Sequence, residues 1–345
     1  NKFIILFLSL FFNCLSTISL KANPTFVDGT VVDDQGGDPN TAQERYTTGL
    51  SFNNNGTKMF ITGTENASAN EFTLSTAFDI STRSFVDAFL VRGTGANVDG
   101  APTSVKFNDD GTKMFTAGFK QFIKEFSLST AFDVSTSTFE QIKDLSTELT
   151  LNKPKDIEFN TDGTKMFILD TSSIYVYTLS TAFDISTASY DNYAFSTADY
   201  ETGLKAFDFS DDGKVMIILG NVDDTFHEYY LSTGFDLTTA SHVSSFALAG
   251  AFFDQQPKGM AFNNTGSKMF FLGGTDTDKV FEFTLVSNYN LKLPTLSSSS
   301  PADNATGVSV DANIVLNFSE KVNVDNGNIT IHKTSDDTTV ATIDV

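Results

Sequence analysis

No tryptophan occurs in this sequence, and only one cysteine, three histidines and three arginines (Arg45, Arg83 and Arg92) are found among its 345 residues. Each scarcity removes a class of chemistry. Cys14 lies inside an N-terminal apolar stretch, so a chain that has lost that stretch holds no thiol for a disulfide, a cysteine metal site or a nucleophile. His227, His242 and His332 show no metal-ligand spacing. Lys and Arg total 22 against 43 Asp and Glu, a formal charge of −21. Phosphate binding needs clustered cations, so neither nucleic acid nor anionic membrane is an expected partner. No Gly-rich phosphate loop, nucleophile elbow or HExxH motif is present. With tryptophan absent, 35 Phe must supply most of the bulky packing in a chain that is 40% hydrophobic.

The one long apolar run is Phe3 to Phe12, behind Lys2 and ahead of Leu20-Lys21-Ala22. Residues 1–22 therefore read as a secretory signal peptide, too short in its apolar part to span a bilayer. Phe11-Phe12-Asn13-Cys14 is a poor lipobox. The first residue is not Met, and the chain is expected to be truncated at its start.

An internal repeat dominates the rest. Five segments align without gaps: GLSFNNNGTKMF (49–60), SVKFNDDGTKMF (104–115), DIEFNTDGTKMF (156–167), AFDFSDDGKVMI (206–217) and GMAFNNTGSKMF (259–270). A second motif follows in each unit: LSTAFDIST (74–82), LSTAFDVST (128–136), LSTAFDIST (179–187), LSTGFDLTT (231–239) and a decayed LVSNYNL (285–291). Apolar residues alternate at the head of each unit, as at Leu50 and Phe52 or Val105 and Phe107. Period two marks a strand, and Asn or Asp before Gly marks a tight hairpin. The Lys-Met-Phe run, the Glu-Phe-Thr-Leu run and the residues after Phe-Asp supply three more strands. Four strands per repeat predict an all-β fold, a β-propeller of five four-stranded blades over residues 25–291. The fifth unit lacks a last strand, and Thr25-Phe26-Val27-Asp28 matches the last strand Ser84-Phe85-Val86-Asp87. The N-terminal strand is therefore expected to close the ring. Asp33 to Tyr46 is too short to hide a sixth blade.

Residues 292–300 read as a linker, after which the pattern changes. Pro301, Asp303, Ala305-Thr306-Gly307-Val308, Asp311, Asn313-Ile314-Val315-Leu316 and Phe318-Ser319-Glu320 resemble the SbsA-type bacterial Ig-like domain. That family occurs in S-layer and other exported surface proteins. A complete sandwich needs roughly 100 residues, so 301–345 is expected to be an incomplete one. The repeats themselves resemble the LSTAFDIST/DGTKMF propeller repeats of marine bacterial exported proteins and phage structural proteins, and more distantly YVTN-type and WD-type propellers. The resemblance implies a repeat scaffold in an envelope or particle setting, secreted, periplasmic or at the cell surface, and transfers no catalytic residue.

Candidate sites are few. Asp109-Asp110-Gly111 and Asp211-Asp212-Gly213 invite a calcium reading, but Asn54-Asn55-Gly56 fills the same place with less charge, so hairpin turns without a cofactor are the preferred reading. Asp79, Asp133, Asp184 and Asp236 are expected to fix a turn, and Met59, Met114, Met166, Met216 and Met269 to pack the core. The inner strands converge on the channel, so Asp156, Glu158 and Asp208 are candidate catalytic carboxylates for glycoside cleavage. The plainer reading is solvated channel charge beside Lys155, Lys205 and Lys258.

The a–b and c–d loops, on one face, are near-identical from blade to blade, whereas the b–c and d–a loops, on the other, vary. Loops released from the repeat carry binding residues. Phe119, Phe122, Phe252, Phe253, Lys155, Lys205 and Lys258 are the ligand-face candidates, for an unidentified carbohydrate or protein partner. The leading reading is a non-catalytic exported binding or adhesion module with the Ig-like part as spacer. Its alternatives are a channel-based carbohydrate hydrolase or lyase, and a purely structural envelope or particle component.

Overall fold

The computed structural model describes residues 25–31, 46–94, 98–149, 153–222, 224–248, 256–273, 278–285, 289, 296–302, 309, 313, 315–318, 328–332 and 339–344. Strand β1 is Thr25–Val31. The first blade holds β2 (Thr47–Phe52), β3 (Lys58–Gly63), β4 (Ser68–Leu74) and β5 (Arg83–Leu90), and the second β6 (Pro102–Phe107), β7 (Lys113–Gly118), β8 (Phe122–Leu128) and β9 (Ser137–Asp144). The third is β10 (Asp156–Phe159), β11 (Lys165–Leu169), β12 (Ser173–Leu179) and β13 (Ala188–Ser196). The fourth is β14 (Leu204–Phe209), β15 (Val215–Gly220), β16 (Thr225–Leu231) and β17 (Ala240–Ala247). The fifth runs β18 (Met260–Phe262), β19 (Lys268–Gly273), β20 (Lys279–Thr284) and then β1. All five are antiparallel four-stranded sheets.

The first strands of neighbouring blades meet in a closed round: β2 with β6, β6 with β10, β10 with β14, β14 with β18 and β18 with β2. Closure through the N-terminus is as expected. Phe26 pairs with Phe283 and Asp28 with Glu282, which leaves Val27 as a bulge. Val86 is bulged at the same place in β5, between Phe85 opposite Phe72 and Asp87 opposite Glu71. The N-terminal strand thus reproduces the irregularity as well as the sequence of a blade's last strand.

The repeated residues work between blades. The five repeat methionines are fully buried. Phe52 packs on Phe270 of the preceding blade at 4.6 Å, Phe107 on Phe60 at 4.3 Å and Phe159 on Phe115 at 4.6 Å. The c–d loop phenylalanine has a second task. A Cβ added to Gly56, whose φ is +69°, would lie 2.1 Å from the ring of Phe78, so this turn needs glycine both for its backbone and for the ring above it. Tyr289 covers Gly266 in the same way, so the decayed motif keeps its ring. The loop aspartates each bind the residue two further on: Ser81 N reaches Asp79 at 3.1 Å and Ser135 N reaches Asp133 at 3.1 Å.

A buried clip joins blades. Lys58 pairs with Glu71 at 2.7 Å and donates to Phe132 O at 2.7 Å, while Glu71 accepts from Val134 N at 3.0 Å. Lys113 and Glu125 hold Phe183 O and Ile185 N alike, at 2.7 and 3.1 Å. Lys268 and Glu282 hold Phe78 O and Ile80 N across the ring closure.

The chain from Lys292 onward is a separate unit. Within it β21 (Leu296–Ser300) pairs with β22 (Val315–Phe318), and β23 (Asn328–His332) with β24 (Thr339–Asp344). Residues 292–300, expected to be a linker, therefore include a strand of this unit.

Candidate functional site: the two mouths of the channel

The inner strands stack their residues in tiers around the channel. On the side of the d–a loops, one equivalent position holds Thr48, Thr103, Lys155, Lys205 and Lys258. The threonines tie neighbouring blades, Thr48 Oγ1 to Pro102 O at 2.7 Å and Thr103 Oγ1 to Pro154 O at 2.9 Å. Lys258 pairs with Asp278 at 2.7 Å. Lys155 and Lys205 are half-buried and form no ion pair with the described residues. Burial first, then the neighbouring Lys205 and Lys153, lowers the pKa of Lys155. Burial and then Lys258 lower that of Lys205. Phe119 is 38% exposed, with Lys153 Nζ 4.4 Å and Lys155 Nζ 5.5 Å from its ring centroid. Phe122, at the start of β8, is half-buried. Phe252 and Phe253 lie outside the described residues.

Deeper in the channel the three candidate carboxylates gather around Lys106. Asp156 accepts from Ser104 Oγ at 2.5 Å, Ile157 N at 2.9 Å and Phe207 N at 3.2 Å, bridging three blades. Asp208 accepts from Phe209 N at 2.7 Å and from Phe262 N of the next blade at 3.1 Å. Glu158 is ion-paired with Lys106. Burial raises the pKa of all three carboxyls, that of Asp208 to about 6. Burial opposes the charge on Lys106, but Glu158, Asp156 and Asp208 together hold it firmly protonated. Asp156 and Asp208 thereby satisfy inner-edge N–H groups that a blade alone leaves unpaired. Asp156 is buried with both oxygens engaged, whereas Asp208 is half-buried and lines a cavity at the far end of the channel.

The far end of the channel opens on the repeated face. There a cavity of about 430 Å³ is lined by Phe52, Phe107, Phe159, Phe209 and Phe262, one from each inner strand, with Lys106, Glu158 and Asp208 among its walls. Asn54, Asp109, Thr161, Asp211 and Asn264 stand exposed at its rim, one per blade. The repeated face, expected to serve as scaffold beside a variable binding face, thus also carries a concavity. Sequence reading placed these rim residues in turns, and the turn carboxylates do serve the turns: Asp110 accepts from Thr112 N at 2.9 Å and Asp162 from Thr164 N at 2.9 Å. Thr112 and Thr164 hold Asp110 and Asp162 below the usual carboxylate range.

The histidines are closer than their spacing suggests. His227 Nδ1 and His242 Nε2 lie 2.9 and 3.0 Å from the hydroxyl of Ser245. Among the described residues no group of three His, Cys, Asp or Glu is placed to hold a metal ion.

Residues 292–345 match the family described as bacterial Ig-like domain, Big_5. No curated protein matches the chain. The chain is also similar to several solved structures. A hydrazine synthase of Kuenenia stuttgartiensis is 11% identical with a TM-score of 0.41, over 71% of this chain and 60% of that one, so the match spans less than two thirds of its length. The β-propeller domain of Cps50 (Swd1) from Myceliophteria thermophila is 7% identical with a TM-score of 0.44, over 69% and 83% of the two chains. A putative 6-phosphogluconolactonase of Bacteroides fragilis is 12% identical with a TM-score of 0.45, over 78% and 79%. The five four-stranded sheets of the chain make a five-bladed β-propeller, and residues 292–345 a bacterial Ig-like segment.

Proposed function

We propose that this chain is a non-catalytic binding module of an exported bacterial surface protein, whose variable-loop face takes an acidic carbohydrate. One observation carries the reading: Phe119 is exposed beside Lys153 and Lys155, on the mouth where Lys155 and Lys205 stand without an ion-pair partner among the described residues. Like charges held together and partly desolvated cost free energy that an incoming anion returns. An exposed aromatic ring beside them suits the apolar face of a sugar. The net charge of −21 does not oppose this, because salt screens charges beyond about 8 Å. The bonds that occupy Asp156 weigh against the hydrolase alternative. The apolar run at residues 3–12 and the Ig-like match support an exported setting. No helix among the described residues is long and apolar enough to cross a membrane.

The test is interferometry of the full chain against alginate, with dextran as the neutral control. Alginate should bind, and Phe119→Ala or Lys155→Gln should weaken it by about tenfold while leaving the melting temperature unchanged. Equal binding of dextran, or variants that bind alginate as the parent does, would overturn the reading. A chain that binds neither polymer favours the purely structural role.

A further inference from the structure

We infer that the cavity on the repeated face is a binding site for a small organic ammonium ion. It lies at the opposite mouth from the lysines and does not depend on the function proposed for them. Its volume of about 430 Å³ falls in the range of small-ligand pockets. Its walls carry five phenylalanines in a ring, Phe52, Phe107, Phe159, Phe209 and Phe262. Aromatic rings present a negative quadrupole to organic cations.

Charge points the same way. Lys106 is the only cation among the lining residues, against Glu158, Asp208, Asp109 and Asp211. Its ammonium is already engaged by Glu158. At the rim Asp109 and Asp211 repel one another: burial, then Asp211, raises the pKa of Asp109. Neither rim carboxylate forms an ion pair with the described residues. Asp211 accepts a hydrogen bond from Tyr289 at 3.3 Å, which supplies no charge. Excess negative charge in a recess walled by low-dielectric rings favours a cation there.

Two competing occupants fit less well. A bare divalent ion needs six to eight oxygen ligands for calcium, and no group of three acidic or imidazole side chains is placed for a metal among the described residues. A neutral sugar would leave the carboxylates uncompensated, and three of the five lining amides are engaged in the hairpins. Asn53 Oδ1 accepts from Lys58 N at 2.9 Å, and Asn160 and Asn263 do the same in their turns at 2.8 and 2.9 Å.

Titration calorimetry with putrescine and with choline tests the inference on the full chain. At least one should bind below about 10 mM, and the rim variant Asp109→Asn/Asp211→Asn should bind about tenfold more weakly. Both rim residues are exposed, so this variant should melt with the parent, and Lys155→Gln on the other mouth should leave the affinity unchanged. Affinity should fall from pH 7 to pH 5, as Asp208, titrating at about 6, takes up a proton. Failure of both amines to bind, unchanged affinity in the rim variant, or equal binding of glucose or calcium would each overturn it.

Discussion

Glu282 in the last blade accepts the backbone N–H of Ile80 in the first at 3.3 Å, with Lys268 bound to its other oxygen at 2.6 Å. One carboxylate thus fastens the ring where its two ends meet. Removing it leaves a buried N–H without its acceptor and Lys268 without its counter-charge, so Glu282→Ala should lower stability by about 1–3 kcal/mol. Urea denaturation decides this, and an unchanged midpoint would show the clip to be ornamental.

The same ring closure depends on β1. Deleting Thr25–Val31 exposes β20 as a bare edge and strips Phe26 from its edge contact with Phe283 at 5.7 Å. Aggregation or a large fall in melting temperature is expected. A deletion that melts with the parent would mean that the fifth blade is stable with three strands.

Stability should also depend on pH in a way that Asp208 dictates. Burial lifts its folded pKa to about 6, above the unfolded value of about 4. The folded state therefore holds more protons between those values, and stability falls as pH rises from 5 to 7. Urea midpoints should be higher at pH 5 than at pH 7, and Asp208→Asn should flatten that slope. A wild-type midpoint that rises over this interval would contradict the burial argument.

The turns, by contrast, should be indifferent to calcium. Asp110 and Asp162 already accept backbone and hydroxyl hydrogens of Thr112 and Thr164. A cation saturating at 100 times its dissociation constant would add about 2.7 kcal/mol. EDTA should leave the melting temperature within error, and a drop of several degrees would show that a bound cation was missed.

Most of the fold was legible because the repeat restates each local rule five times. Alternation placed the strands, glycine placed the hairpins, and Thr25-Phe26-Val27-Asp28 declared itself a last strand down to its bulge. The clip left a signal that went unread. Lys58 with Glu71, Lys113 with Glu125 and Lys268 with Glu282 occur as pairs, while the third blade has Val176 for the glutamate and the fourth Val215 for the lysine. Opposite charges that recur together at one register in three of five blades mark a contact. The cavity left no such trace, because register fixes which residues share a tier but not how far inward each tier stands. The His227–Ser245–His242 grouping was hidden by a bulge, which shifts β17 by one residue against β16.

The placement of β20 bears on how the ring would answer a pull. The chain passes from Thr284 toward the Ig-like unit, so tension from that side enters the propeller through β20. This strand is hydrogen-bonded on both flanks, to β19 and to β1. An outermost strand would be unzipped one rung at a time, whereas β20 must shear two ladders together before it can leave. The N-terminal segment is then a mechanical lock as well as a cover for an open edge.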